Sequence, residues 1–171
     1  CIRDRVSAAP QSKIIVIGQA PGRRVHESGI PWDDQSGKNL RSWLGVDNAQ
    51  FYDPKLFGIV PMGFCYPGTG KSGDLPPRKE CAPLWHPRLM EAFTDVKLVF
   101  LIGMYAQRAY LGKAAKPTLT ATVKEWNTFL PKYLPLPHPS PRNNIWQRKN
   151  AWFEKLLLPQ LKVIVKDVLE L

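Results

Sequence analysis

Two short apolar runs constrain this chain more than any other feature. Residues 13–18 (KIIVIG) and 96–103 (VKLVFLIG) are continuous, rich in β-branched residues, and each closed by glycine. A strand with one wet face alternates polar and apolar side chains, whereas a strand covered on both faces does not. Both runs therefore predict buried strands of a parallel sheet. Residues 57–60 form a further strand candidate, and residues 133–137 a short proline-edged strand ending at His138.

The stretches between them have helical character. Residues 36–44 place Leu40, Trp43 and Leu44 on one side, and residues 104–111 lead away from the second strong strand. A helix is expected around 86–93 and another over 118–129, with Thr118 placed to cap it. The tail carries Ile145, Trp152, Phe153, Leu156, Leu157, Leu161, Ile164, Val165, Val168 and Leu169 at helical spacing, with Lys and Arg on its other faces. Residues 66–83 are rich in Gly, Pro and charge and are expected to form a long surface loop. Strands alternating with helices imply an α/β domain whose parallel sheet is covered on both sides. Right-handed crossovers then bring the loops beginning at Gly18, Pro61, Gly103 and His138 to one carboxyl edge, where ligands bind in such folds.

At 171 residues the chain fits one domain spanning 1–171, and 44% hydrophobic residues with six tryptophans argue against disorder. The charge is lopsided: 24 Lys and Arg against 14 Asp and Glu give +10, which suits a polyanion such as nucleic acid, although a merely basic protein would look the same. Three cysteines (Cys1, Cys65 and Cys81) are too few for a disulfide scaffold, and the longest apolar runs are far too short to span a bilayer. A cytoplasmic, monomeric protein without a membrane partner is expected. Opening at Cys1 suggests that the natural start is missing.

Three segments carry chemistry. Gly18-Gln19-Ala20-Pro21-Gly22 follows the first strand, where glycine lets backbone approach a ligand closely. Pro31-Trp32-Asp33-Asp34-Gln35-Ser36-Gly37 sets an aromatic ring and two carboxylates before a helix, although Asp34 would also serve the helix N-terminus there. His138-Pro139-Ser140-Pro141-Arg142-Asn143 holds a histidine in a proline-stiffened loop. A fourth segment, 67–73 (PGTGKSG), imitates a phosphate loop but lacks the leading glycine, having Cys65 there, and is followed by Asp74-Leu75-Pro76-Pro77 rather than a helix. It reads better as a basic loop near DNA.

The order of GQAPG, PWDDQSG and HPSPRN resembles the uracil-DNA glycosylase superfamily, over nearly the whole chain. GQAPG and LIGMYAQRAYLG look closest to its bacterial and archaeal iron–sulfur branch, called family 4. The resemblance implies a three-layer α/β/α fold with a central four-stranded parallel sheet. It implies excision of a damaged base from DNA, uracil foremost, with activity at the nucleoid. It places Gln19 and Ala20 in the loop that contacts base and attacking water, Trp32 and Phe64 against the flipped base, and His138 at the departing base. Ser140 and its neighbours fall in the loop that grips phosphate. Arg23, Lys71, Arg142 and Lys149 are further candidates to hold phosphates.

The departures matter as much. Gln19 stands where that branch has glutamate, so the catalytic acid is assigned to Asp34, with Asp33 as the alternative, beside His138 and Gln19. Pro61 stands where an asparagine reads uracil, which puts uracil selectivity in doubt. Cys65 and Cys81 are sixteen residues apart, matching one pair of ligands for a structural 4Fe–4S cluster in the branch, but Cys1 lacks a C-x-x-C partner. Two buried thiols are the alternative. Catalysis itself needs no cofactor, and without a nucleophilic lysine the product is an abasic site. A non-catalytic DNA-binding relative and a nucleoside hydrolase are the competing functions.

Overall fold

The computed structural model describes residues 6–71 and 73–170. Its centre is a parallel sheet of four strands: β1 (Ile14–Ile17), β2 (Phe57–Ile59), and two more that follow a small hairpin in the chain. That hairpin is β3 (Thr69–Gly70) with β4 (Gly73–Asp74); the remaining sheet strands are β5 (Leu98–Ile102) and β6 (Tyr133–Leu136). The sheet order is β2-β1-β5-β6, with Ile14 level with Phe57 on one side and Leu98 on the other. β1 and β5 are the inner strands, as their unbroken apolar runs require.

Alternation along the strands divides the core. Ile14, Val16, Phe57, Phe100, Ile102, Leu134 and Leu136 face one layer of helices; Ile15, Ile17, Val99 and Leu101 face the other. The first layer holds α2 (Gln35–Leu44) and the last helix, which supplies Leu161, Val165 and Leu169. The second layer receives Ala82, Ala106 and Leu111 from the helices Cys81–Glu91 and Gly103–Leu111. This is a three-layer α/β/α arrangement around a four-stranded parallel sheet, as expected.

Several boundaries differ from expectation. The 66–83 loop folds into the β3–β4 hairpin, and the following helix starts at Cys81, before the expected 86. Pro83 sits in its first turn, where a missing N–H costs nothing; Pro87 lies further inside it. Two helices were not expected, α1 (Arg23–Ser28) and α3 (Asn48–Tyr52), the latter fixed by a reciprocal capping box between Asp47 and Gln50. Thr118 does cap its helix, accepting from the Ala121 N–H at 3.1 Å, but the helix stops at Lys124 and a 3₁₀ turn follows. No helix of the described residues is long and apolar enough to cross a membrane.

Candidate active site

The loops leaving β1, β2 and β6 meet at the carboxyl edge of the sheet around a pocket of about 470 Å³. That volume lies in the usual range for small-molecule sites. Gln19, Ala20, Trp32, Asp34, Pro61, Asp74, His138, Ser140, Arg142 and Asn143 are among its lining residues. A second, mostly apolar cavity lies against the Cys81–Glu91 and Gly103–Leu111 helices. Its histidine, His86, is already committed. Nε2 must donate to the Pro61 carbonyl (3.0 Å), so Nδ1 accepts from the Tyr110 hydroxyl (2.6 Å). The first pocket is the one on which several polar side chains converge.

Trp32 is held in an unusual state. Its φ is +58°, in the left-handed region that costs a non-glycine residue on the order of 1–3 kcal/mol. Three neighbours enforce that geometry. Arg41, 8% exposed and packed over the rings of Phe51 and Tyr52, donates from Nη1 to the Trp32 carbonyl at 3.3 Å. Gly37 leaves room for that carbonyl; a Cβ there would lie 1.8 Å from the oxygen. Gly18 lets the indole cross the backbone after β1, since a Cβ there would come within 3.0 Å of Cζ2. The ring is therefore fixed over the first loop, with its centroid 5.7 Å from that of His138.

Asp34 does two things at once. One oxygen accepts from the Gly37 N–H at 2.8 Å and caps α2, as helix physics alone would suggest. The same side chain lines the pocket and acts electrostatically on His138. Asp33 does not line the pocket; its charge is felt by Tyr52 instead.

The His138 loop is braced from three directions. Asn143 Nδ2 donates to the His138 carbonyl at 2.7 Å, and Asn39 of α2 donates to the Pro139 carbonyl at 2.8 Å. Gln107, buried beneath, donates to the Leu136 and Leu101 carbonyls at 2.9 and 3.3 Å, tying the ends of β6 and β5 together. Ser140 accepts from the Arg142 N–H at 3.3 Å, which stabilises the turn 141–143.

The other sequence-predicted residues fall into two groups. Gln19, Ala20, Ser140 and Arg142 are in the pocket wall. Arg23, Lys71 and Lys149 are exposed and outside the lining, at the start of α1, on the β3–β4 turn, and at the end of the helix Asn144–Lys149. Phe64 is not brought to the pocket; it is buried in the second core layer, near the His86 ring. Asp74, Arg41, Asn39 and Gln107 were missed by sequence reasoning.

The family model of the uracil DNA glycosylase superfamily matches residues 6–162. The chain belongs to the uracil-DNA glycosylase superfamily. It is thus a member of a superfamily of DNA glycosylases. Among solved structures it is similar to wild-type SMUG2 of Pedobacter heparinus, at 16% identity and a TM-score of 0.37, over 94% of this chain and 74% of that one.

Among the described residues Cys65, expected as a cluster ligand or a buried thiol, takes part in a disulfide. Cys1 lies outside them, as does Ser72 of the PGTGKSG segment, and no group of three or more His, Cys, Asp or Glu that could hold a metal occurs among them. Cys81 is a half-buried free thiol at the start of its helix. No step of the chemistry below runs through a metal.

Burial holds both pocket-side histidines of this superfamily member below the usual imidazole range. For His138, Asp34 and then Asp74 oppose that shift; for His86, the hydrogen bond to Pro61 does. An unfolded histidine titrates near ~6.5, so below that pH the unfolded chain binds more protons than the folded one. Stability is therefore complete above about pH 6.5 and falls as pH drops toward the folded values, by up to ~1.4 kcal/mol per pH unit for each histidine. Urea unfolding between about pH 7.5 and 5.5 checks this, and His138→Gln should flatten the slope.

Proposed function

We propose that this protein hydrolyses the N-glycosidic bond of a flipped, damaged base in DNA, uracil foremost, leaving an abasic site. One observation carries the reading: a carboxylate, an imidazole and a rigidly held indole converge on one pocket from loops a hundred residues apart in sequence. Each matches a need of the reaction. Breaking the bond makes an oxocarbenium-like sugar and an anionic base. Asp34 would stabilise the cation and orient or deprotonate water. His138 would donate to the base oxygen as negative charge grows on it, and Trp32 would receive the base face. The chemistry needs no nucleophilic amine, so the enzyme would be monofunctional. The GQAPG and LIGMYAQRAYLG segments favour kinship with the iron–sulfur branch; Cys65 is disulfide-bonded here and would have to be reduced before it could join Cys81 and Cys1 as a ligand.

A second reading has one observation in its favour. The capping bond of Asp34 to Gly37 gives that carboxylate a structural role, which a DNA-binding relative without activity would also keep. Duplex oligonucleotides carrying uracil, hypoxanthine, xanthine or a thymine mismatch separate the two. The enzyme reading expects strand scission at one of these lesions only after alkali; binding without scission at any of them favours the second reading, and release from free nucleosides alone would favour a nucleoside hydrolase.

The DNA partner follows from charge and placement. Arg142 lies in the pocket wall, Arg23 and Lys71 are exposed on the neighbouring α1 and hairpin, and the whole chain carries +10. Duplex affinity should fall steeply with salt, and Arg142→Ala should weaken binding and reduce the log–log salt slope by about 0.9, the value of one phosphate contact. A titration of labelled duplex at several salt concentrations measures both; an unchanged slope removes Arg142 from the phosphate contacts.

A further inference from the structure

The pocket holds a carboxylate that the mechanism above does not use. Asp74 closes the β3–β4 hairpin, pairing with Thr69, and its side chain lies over the loop after β1, 3.7 Å from where a Cβ on Gly22 would stand. The backbone on both sides of it is anchored. Leu75 donates its N–H to the Gly68 carbonyl at 2.9 Å, and its own carbonyl accepts from Gln19 Nε2 at 3.2 Å. Arg142 packs on the preceding residue, its Nη1 3.1 Å from where a Cβ on Gly73 would be. The hairpin thus bridges the β1 and β6 loops across the pocket and delivers Asp74 into its lining. No hydrogen bond or ion pair engages this carboxylate among the described residues, yet its charge is felt at His138.

The other groups that could read a base edge are compromised. Pro61 has no amide. The side-chain amides of Gln19 and Asn143 each commit one of their two N–H donors to a backbone carbonyl. Asp34 spends one oxygen on α2. Asp74 is the carboxylate of the pocket wall that has no hydrogen-bond or ion-pair partner among the described residues.

We propose that Asp74 is the specificity-determining residue of the site, its carboxylate accepting the ring N–H of a base whose adjacent carbonyl oxygen is bound by the His138 imidazole. This rests on the base-excision reading above. A donor beside an acceptor complements the –NH–C(=O)– lactam edge shared by uracil, hypoxanthine and xanthine. Cytosine and adenine present the reverse, a ring nitrogen lone pair beside an amino group. That lone pair would face the carboxylate, and the amino group would face the imidazole donor. Selection against the undamaged parents then follows from hydrogen-bond polarity, which discriminates far better than shape alone.

The test uses duplexes containing uracil or hypoxanthine, whichever the parent excises faster, and the same base methylated at the lactam nitrogen. Single-turnover rates are measured for the parent, Asp74→Ala and Asp74→Asn, with thermal unfolding to establish that each variant is folded. The parent should prefer the unmethylated base by about 10- to 100-fold, the worth of one charge-assisted hydrogen bond. Asp74→Ala should bring that ratio close to one, mainly by slowing the unmethylated base. Asp74→Asn, whose amide oxygen still accepts, should retain part of it. An unchanged ratio in Asp74→Ala, or an equal loss on both substrates, overturns the assignment while leaving base excision intact. A parent that excises neither substrate nor any other lesion overturns the excision reading itself, and this inference with it.

Discussion

Asp34→Asn should lower single-turnover base excision by about 10²- to 10³-fold, the usual cost of removing one preorganised electrostatic stabiliser. The variant separates the two roles of this side chain. Asparagine is as good an N-cap as aspartate, so the bond to the Gly37 N–H and the start of α2 are kept. What is lost is the negative charge that, in the proposed reaction, would stabilise the sugar cation. The unfolding temperature and duplex affinity should therefore stay near the parent values, because phosphate contacts supply most of the affinity. Asp34→Ala should lose excision and also about 1 kcal/mol of stability as the cap disappears. Rapid-quench excision beside duplex titration and thermal unfolding gives all three quantities. Excision by Asp34→Asn at the parent rate would leave the residue a helix cap and nothing more.

His138→Ala should cost a similar factor, about 10²- to 10³-fold, through the other half of the reaction. In the proposed reaction the imidazole would face the departing base, and burial favours its neutral form, whose N–H would donate as charge develops. The loop around it should survive, since Asn143 and Asn39 brace the carbonyls of residues 138 and 139 rather than the ring. The Trp32 indole loses its neighbour, and its fluorescence should change even though Arg41 and Gly37 still hold its backbone. His138→Gln, which keeps a donor, should recover part of the rate. Stopped-flow fluorescence and single-turnover excision on the same samples distinguish a lost donor from a misplaced tryptophan.

The parts of this fold legible in the sequence are those determined locally. An unbroken apolar run needs cover on both faces, so KIIVIG and VKLVFLIG announced β1 and β5, and parallel topology then placed Gly18 and His138 at one edge. Thr118 was legible as a cap because a cap is a matter of three residues. What stayed hidden depends on partners distant along the chain. Nothing near Trp32 signals a positive φ; it is imposed by Arg41 and by the room left at Gly37 and Gly18. Asp74 was obscured by its setting, because glycines and prolines that signal a loop also build a two-residue hairpin. Phe64 illustrates the opposite difficulty: an aromatic ring suits a base stack and a core equally, and here it is buried in the core. The short helices α1 and α3 give too few turns for a periodic pattern.

The central claim is that the pocket between Asp34 and His138 takes a base out of DNA and cuts it from its sugar. Single-turnover excision on lesion-bearing duplex, run side by side for the parent and the Asp34→Asn/His138→Ala double variant at equal duplex occupancy, tests it most directly. The account predicts that the parent converts the lesion to an alkali-labile abasic site while the double variant, bound equally well, does not. Equal conversion by the two proteins, or none by the parent at any lesion, would contradict it.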